Sequence, residues 1–539
     1  MTAHARQRIL IVGGGFGGIY TAMRLQKAVK GRTDIDIALI DQKNYFVFQP
    51  LLPEVISGSI GMMHTVTPLR DLCPHVNLYI RKVESIDIEK REVVTSYDIR
   101  TQLHRIPYDH LVLALGSEEN FSIVRGLPEH GLHFKNLGDA LALRNRLILM
   151  MEAADSEPDI NVRRPMLTVV MAGGGFSGVE AIAEVNDFVR AIARRYSHLD
   201  ASELRIILLH SSTRILPELP ESLSLYAQRL LDRRQVEIRL GVRLEAVTAD
   251  EAILNDGTRI PTNTVIATIG AAPNPVLAAL PCQKERGRIV VDANLAVPDY
   301  PGLWAVGDCA YIIDHKTGSA CPPTAQYAVS EGKCLAGNIV ASLDGKALRP
   351  FSFSALGMMG SLGHQSAVGD VLGIKISGII AWFIWRTVYW MKLPGLRRKF
   401  YVAIDWFLNL VMPKDIVQLN VAPSESLTRE HFEANEIIFR QGDWGDRVYV
   451  IIDGEVEVIR EDAQGHETVL ARLKANDCFG ERALIKDDVR NATVRTVTNL
   501  NALTLPRSTF TTLFDHIPVL RSSLEQLVQE RDRQLGEWD

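Results

Sequence analysis

The chain has 539 residues, 47% hydrophobic and 23% charged, with a net charge of −5. That length gives room for about three to four domains, and the slight acidity argues against nucleic acid as a main partner, because phosphate-binding surfaces need a basic excess. Six cysteines without zinc-ligand spacing imply neither a disulfide framework nor a metal site.

The first apolar run, residues 9–12, is too short for a signal peptide. No stretch reaches the roughly 20 apolar residues of a membrane span. The expectation is an intracellular protein with reduced thiols, touching a membrane only peripherally.

Residues 9–18 read ILIVGGGFGG and residues 168–178 read TVVMAGGGFSG. Each is an apolar strand, a glycine loop and then a helical pattern (19–29 and 179–192). This is the strand–loop–helix of a Rossmann unit written twice, and it implies two dinucleotide sites. In the first loop Gly13 permits the tight turn, Gly15 lets the backbone approach a pyrophosphate, and Gly18 lets helix and strand pack closely. The pyrophosphate then rests on the helix N-terminus. Asp41 closes the predicted strand 35–40, where it can accept from a ribose hydroxyl.

In the second loop Gly173, Gly175 and Gly178 repeat the pattern. His210 follows the predicted strand 204–209, at the place where an acid would grip the 2′-hydroxyl of NAD. An acid would repel the 2′-phosphate of NADP and a histidine would not, so the choice of NADH or NADPH stays open. Glu180, just inside the following helix, is either a carboxylate matched to the helix dipole or one pointed at the nicotinamide. Residues 303–308 form a strand ending in Gly-Asp, and Pro322, Pro323 and Thr324 open another helix.

Residues 371–404 carry Lys375, Arg386, Lys392, Arg397, Arg398 and Lys399 but no acid, and Trp382, Trp385, Trp390 and Trp406 lie in or beside them. The mix predicts an interfacial amphipathic helix (379–391), a basic turn (395–399) and a second helix to Leu410. A linker is expected at 421–426. Short alternating strands follow at 436–439, 447–452, 456–459, 469–473 and 493–498, a small all-β domain. A helical pattern from about 508 to 535 closes the chain, its last part (519–535) suited to a hinge or lid. No helix-turn-helix is present.

Residues 8 to about 420 resemble the type II NADH:quinone dehydrogenases. The motifs that carry the likeness are NYFVFQPLL (44–52), the loop 173–180, ATIG (267–270), WAVGDCA (304–310), PTAQYA (323–328), and Ala381-Trp382 ahead of the basic, Trp-rich tail. The resemblance implies an α/β fold of two Rossmann domains, the NAD(P) unit inserted into the FAD unit. It places an FAD domain at 1–120 and 290–349, an NAD(P) domain at 121–289 and a membrane-anchoring region at 350–420. It implies FAD held by Gly13, Gly15, Phe16, Gly17, Gly18, Asp41, Gln42, Gln49, Val83, Ala114, Gly116, Asp308, Ala325 and Gln326. It implies NADH or NADPH at Gly173, Gly175, Phe176, Ser177, Gly178, Glu180, His210 and Gly270. Glu180 beside the flavin and Gln326 at the quinone end are the candidate catalytic residues. Ser330 replaces the last glutamine of the family's quinone motif. A homodimer on the cytoplasmic face of the inner or plasma membrane is also implied.

Disulfide reductases share this fold but need two close redox cysteines early in the chain, where only Cys73 stands. A sulfide:quinone reductase would have to use Cys309, Cys321 or Cys334. Two further readings stay open at this point, a redox sensor with incidental turnover and a soluble diaphorase with a non-quinone acceptor.

Residues 478–484 (CFGERAL) and 490–494 (RNATV) resemble the phosphate cassette of cyclic-nucleotide-binding domains, which gives a β-roll at 425–539. The resemblance implies contacts from Gly480, Glu481, Ala483, Arg490, Asn491 and Ala492. A helix starting near Glu481 would offer N–H groups to the cyclic phosphate, Arg490 would meet its charge, and Glu481 would accept from the ribose 2′-hydroxyl. Asn491 leaves cAMP against cGMP unsettled, with cAMP favoured.

Overall fold

The computed structural model describes residues 6–97, 100–355, 357–419, 428–462, 466–486, 489–516, 521–526 and 528. The chain forms two compact units, Met1–Ile80 with Tyr108–Leu419, and Arg81–Pro107 with Asn420–Asp539.

The first unit holds two parallel five-stranded sheets. One runs in the order Leu303–Ala305, His110–Leu113, Gln7–Val12, Ile35–Asp41, Asn77–Ile80. The other runs Gly131–Leu132, Thr264–Ala267, Thr168–Ala172, Arg205–His210, Val236–Leu240. Central parallel strands are covered on both faces, so they read as unbroken apolar runs; residues Ile9, Leu10, Ile11 and Val12 are wholly buried. Leu303–Ala305 rejoins the first sheet after the whole second sheet has been built, so one Rossmann unit is inserted in the other. Ser117–Glu119 and Ala271–Pro273, one from each crossing segment, pair antiparallel. Both glycine loops leave the carboxyl end of a central strand, where doubly wound sheets bind ligands.

A three-stranded antiparallel sheet, Gly357–Ser361, Ala367–Val371 and Ile374–Ser377, leads into the helices Gly378–Lys392 and Leu396–Val411. No helix of the described residues is long and apolar enough to cross a membrane. Three expectations for this stretch need correction. Arg397, Arg398 and Lys399 lie in the first helical turn and not in a connecting loop. The tryptophans are mostly core: Trp382, Trp385 and Trp406 are buried and only Trp390 is exposed. Arg386 is not a surface cation either, since its guanidinium is stacked over Trp382 and Trp406, 4.1 and 4.5 Å from the ring centroids. Burying the guanidinium between two indole faces compensates its lost hydration.

The second unit contains the antiparallel sheet Lys82–Asp87, Glu92–Tyr97, Arg100–Pro107 and two four-stranded antiparallel sheets. The first of these orders Thr428–Phe432, Leu500–Pro506, Arg447–Asp453, Cys478–Phe479, and the second Ile437–Phe439, Thr493–Thr496, Val456–Glu461, Glu467–Leu473. They close over Phe439, Tyr449 and Phe479, the last two rings stacked at 4.8 Å. Periodicity gives no sign of the strands Thr428–Phe432 and Leu500–Pro506, the first because TREHF is almost wholly polar. The helix Arg507–His516 follows. The predicted linker 421–426 and most of the predicted lid helix 519–535 lie outside the described residues.

Candidate active site and ligand loops

In the first loop the glycines are sterically required. Gly13 has φ +106, and a Cβ on Gly18 would stand 1.8 Å from the Gly13 carbonyl oxygen. Gly15 and Gly116, by contrast, face open space. Asp41 Oδ2 accepts from the Gly14 N–H at 2.6 Å and Oδ1 from the Lys43 N–H at 2.7 Å. Burial pushes the Asp41 pKa up against those bonds. Gln42 beside it is exposed. Ala114 is buried and backs Gly13.

Across the crevice Asp308 Oδ2 accepts from Ser117 Oγ at 3.0 Å, and Lys135 Nζ donates to the same hydroxyl at 3.0 Å. Gln49 Nε2 donates to the Lys135 carbonyl at 3.4 Å. Sequence reasoning missed Ser117 and Lys135, because nothing local marks them. Glu331 accepts from the Gly307 N–H at 2.8 Å, and burial raises its pKa to about 7. The helix Ala325–Leu343 starts at Thr324 without a side-chain cap, so its first N–H groups and positive end stay available. Ala325 and Gln326 are half-buried there. Val83 lies in the strand Lys82–Asp87 of the other unit.

The second loop repeats the sterics. A Cβ on Gly178 would stand 1.8 Å from the Gly173 carbonyl, and one on Gly173 would stand 2.3 Å from Thr268 Oγ1. Gly270 has φ +78 and its carbonyl accepts from the Asn120 N–H at 2.6 Å. His210 Nδ1 accepts from the Gly174 N–H at 3.1 Å, the position Asp41 takes in the first loop. Ser177 is exposed, and the Phe176 ring lies against Gly360.

Glu180 lies near the start of the helix Phe176–Ala193 that follows the second loop. Its Oε1 accepts from the Ser361 N–H at 2.8 Å. Burial lifts its pKa to about 8; the Ser361 N–H and the Trp385 indole pull it down, while Glu54 and Glu184 add to the rise. A file of aromatic rings connects this carboxyl to the first glycine loop: Trp385 to Tyr389 at 4.8 Å, Tyr389 to Phe48 at 6.1 Å, and Phe48 to Phe16 at 5.9 Å. Behind Glu180 lies a buried charged cluster. Glu54 accepts from Trp406 Nε1 at 2.5 Å and pairs with Arg386 at 3.5 Å. Glu184, one helical turn beyond Glu180, is pushed up by burial and by Glu54, with Lys414 opposing. Lys414 Nζ donates to Ser59 Oγ at 2.6 Å, and Ser59 Oγ meets Ser57 Oγ at 2.7 Å. Sequence reasoning missed Glu54, Glu184 and Lys414, because the segments that bring them together are far apart in the chain.

None of the six cysteines takes part in a disulfide among the described residues. Cys309 donates to the Leu113 and Val306 carbonyls, and burial pushes the Cys309 and Cys321 thiols up to about 12. Neither is an activated thiolate.

In the β-roll Arg490 is 2% exposed. Nη1 donates to the Gly480 carbonyl at 2.5 Å and Nη2 to the Arg447 carbonyl at 2.7 Å, and the guanidinium lies over Phe439 at 4.2 Å. Its Nε–H is sealed from solvent without a partner among the described residues. Glu481 and Ala483 are buried beside it, Ala492 is buried as well, and Asn491 is half-buried. The helix expected at Glu481 is only Glu481–Ile485. So short a helix sums little dipole, and the Arg490 guanidinium also pairs with Asp446 at 3.5 Å.

A two-dinucleotide-binding fold with a β-roll is the class these features define. The pyridine nucleotide-disulphide oxidoreductase family matches residues 7–332, the NDH2 C-terminal domain residues 356–415, and the cyclic nucleotide-binding domain residues 429–516. The demethylphylloquinone reductase NdbB of Synechocystis is 32% identical over 410 residues, covering 75% of this chain and 96% of that protein. The type II NADH:quinone oxidoreductase Ndh of Mycobacterium tuberculosis is 28% identical over 444 residues, covering 79% and 93%. The structure of NDH2 from Plasmodium falciparum in complex with NADH covers 76% of this chain and 100% of its own, with TM-score 0.71 and 19% identity. The chain belongs to the pyridine nucleotide-disulphide oxidoreductases, and among them to the type II NADH:quinone oxidoreductase enzymes, with a cyclic nucleotide-binding domain appended.

Proposed function

We propose that this enzyme is a membrane-peripheral, FAD-dependent NAD(P)H:quinone oxidoreductase, working as a homodimer on the cytoplasmic face, whose turnover responds to a cyclic nucleotide, cAMP by preference. The observation that carries the catalytic part is the aromatic file joining the first glycine loop to the protonatable Glu180 beside the second.

The residues present fit FAD. Open space at Gly15 and Gly116 leaves room for a pyrophosphate and a ring. Asp41 is placed to accept from the adenosine ribose, Asp308 from the ribityl hydroxyls, and the uncapped helix start at Ala325 presents its positive end. FAD, when bound, supplies the chemistry, taking hydride from the nicotinamide and passing two electrons to quinone. The Gly173, Gly175 and Gly178 loop holds the second pyrophosphate. Glu180 holds a proton at its carboxyl near neutral pH, beside the Trp385 indole. Gln326 lies toward the quinone, where Ser330 shortens the usual amide to a hydroxyl.

Support for membrane docking comes from the exposed face of the last two helices of the first unit. Phe383, Met391, Leu396, Phe400, Phe407 and Leu410 are all more than half exposed. Arg397, Arg398 and Lys399 in a helix's first turn oppose the dipole, a cost that lipid phosphates would offset. Burying one such phenylalanine is worth roughly 1.5–3 kcal/mol. The double variant F400E/F407E is therefore expected to lose at least tenfold in liposome flotation while still reducing a water-soluble quinone. Flotation equal to the parent's would place the docking surface elsewhere.

For the β-roll, the sealed Nε–H of Arg490 is a donor that a cyclic phosphate oxygen would satisfy. Steady-state oxidation of NADH and NADPH on liposomes, with a short-chain ubiquinone and with or without cAMP, tests the whole reading. Quinone-dependent turnover that cAMP shifts is the expected result. Arg490→Lys is expected to weaken cAMP binding at least 100-fold and to remove the shift, because one ammonium replaces a planar fork of donors. A cAMP response that survives in that variant would end the assignment of the cassette.

A further inference from the structure

The two Rossmann units treat the end of their second strand differently. In the first, Asp41 takes the Gly14 N–H with a carboxylate oxygen. In the second, His210 takes the Gly174 N–H with Nδ1. An imidazole that accepts at Nδ1 carries its proton on Nε2. That Nε2 is sealed from solvent and has no partner among the described residues. Burial lowers the proton affinity of the ring, and the charge of the nearby Glu218 works the other way. The strand end thus offers a donor where a carboxylate would accept.

An acid reaches the loop by another route. The residues after His210 fold back onto the glycine loop, and the Leu216 N–H donates to the Gly174 carbonyl at 2.8 Å. Leu216 has φ +47, a conformation that leucine adopts only when its surroundings compel it. Ile215 and Leu216 are wholly buried, and the Ser224 hydroxyl donates to the Ile215 carbonyl. Two residues on, Glu218 Oε1 lies 3.7 Å from the point where a Cβ on Gly175 would stand. The cation of this loop, Arg214, turns Nη2 to the Pro217 carbonyl at 3.1 Å.

We propose that Glu218, carried to the glycine loop by the 211–219 turn, replaces the strand-end acid and makes the enzyme select NADH over NADPH, with His210 Nε2–H as the matching donor. The inference rests on the second loop being the NAD(P)H site. A ribose 2′-hydroxyl both donates and accepts, so it satisfies a carboxylate and an N–H together. A 2′-phosphate has no proton for Glu218 and is repelled by its charge.

The test is kcat/KM for NADH and for NADPH, measured on full-length FAD-loaded enzyme with a soluble quinone. The parent is expected to favour NADH. Glu218→Gln is expected to lower the NADH:NADPH ratio roughly tenfold or more, mainly through a lower KM for NADPH, because a like charge is removed. The double variant E218Q/H210D is expected to regain the preference, since the aspartate restores an acid at the strand end. Glu221→Gln, on the exposed first turn of the next helix, is expected to leave the ratio unchanged, which separates a local contact from general surface charge. A Glu218→Gln ratio within about twofold of the parent's, or a parent that prefers NADPH, would overturn this inference and leave the site reading standing. A parent enzyme that oxidises neither coenzyme would overturn both.

Discussion

Gly18→Val protein is expected to purify without flavin, and Gly178→Val protein to purify yellow but with a flavin that NADH no longer reduces. The reason is geometric and applies to each loop separately. A Cβ at either position would stand 1.8 Å from the carbonyl of the first glycine of its own loop, well inside any real contact distance. Even alanine forces strand and helix apart, and the backbone N–H groups then leave the positions that meet a pyrophosphate. Displacements of about 1 Å cost on the order of 100-fold when positioning carries the rate. Flavin content after purification, flavin bleaching by NADH and chemical reduction by dithionite read the two effects apart. Dithionite should still bleach the Gly178→Val enzyme. If Gly18→Val keeps its flavin and Gly178→Val loses it, the two loops have been assigned the wrong way round.

The second large effect is a pH profile set by Glu180. Its carboxyl is protonated below about 8, because burial and the neighbouring Glu54 and Glu184 disfavour the charged form. Transfer of hydride toward this side of the site adds negative charge nearby, which a neutral carboxyl tolerates and a carboxylate opposes. Turnover should therefore be flat at lower pH and fall through about pH 8, approaching tenfold for each further unit until the effect of one nearby charge is exhausted, at about 100-fold. Glu180→Gln is neutral at every pH. It should lie within about tenfold of the parent at pH 6.5 and lack the fall, so that the two profiles converge or cross above pH 9. Identical breaks in parent and variant would assign the titration to another group, Glu184 being the nearest candidate.

Much of the architecture was legible in the residues. The two glycine loops, the acid at Asp41, the Gly-Asp at Asp308 and the cassette around Glu481 and Arg490 are short motifs whose residue types and spacing stand in the chain itself, even where their partners are distant. Backbone sterics and hydrogen bonds within such a motif leave a fixed spacing in the chain. The helices Gly378–Lys392 and Leu396–Val411 were legible for the same reason, through their periodicity.

Their surroundings were not legible. An acid-free stretch with three tryptophans, and a fourth just past Asp405, reads as a lipid-facing surface, yet three of those four indoles are buried. The acids that receive them come from far away: Glu54 accepts from Trp406 across 352 residues of sequence. Composition within a window carries no information about such a partner. The same holds for Ser117 and Lys135 around Asp308, which are separated by the insertion of the second sheet. It holds also for Arg490, whose donors are turned toward carbonyls of Arg447 and Gly480.

By itself, then, the sequence determined the repeated Rossmann unit, the spacing of its loops and the type of the appended domain, because each is encoded by short-range sterics and hydrophobic period. Only the tertiary structure decided that Ser117 and Lys135 meet Asp308, that Glu54, Glu180, Glu184 and Lys414 act on one another, and that Glu218 reaches the loop His210 caps. Desolvation and charge pairing act through space, and it is the packing of distant segments that sets which groups lose water and which charges meet.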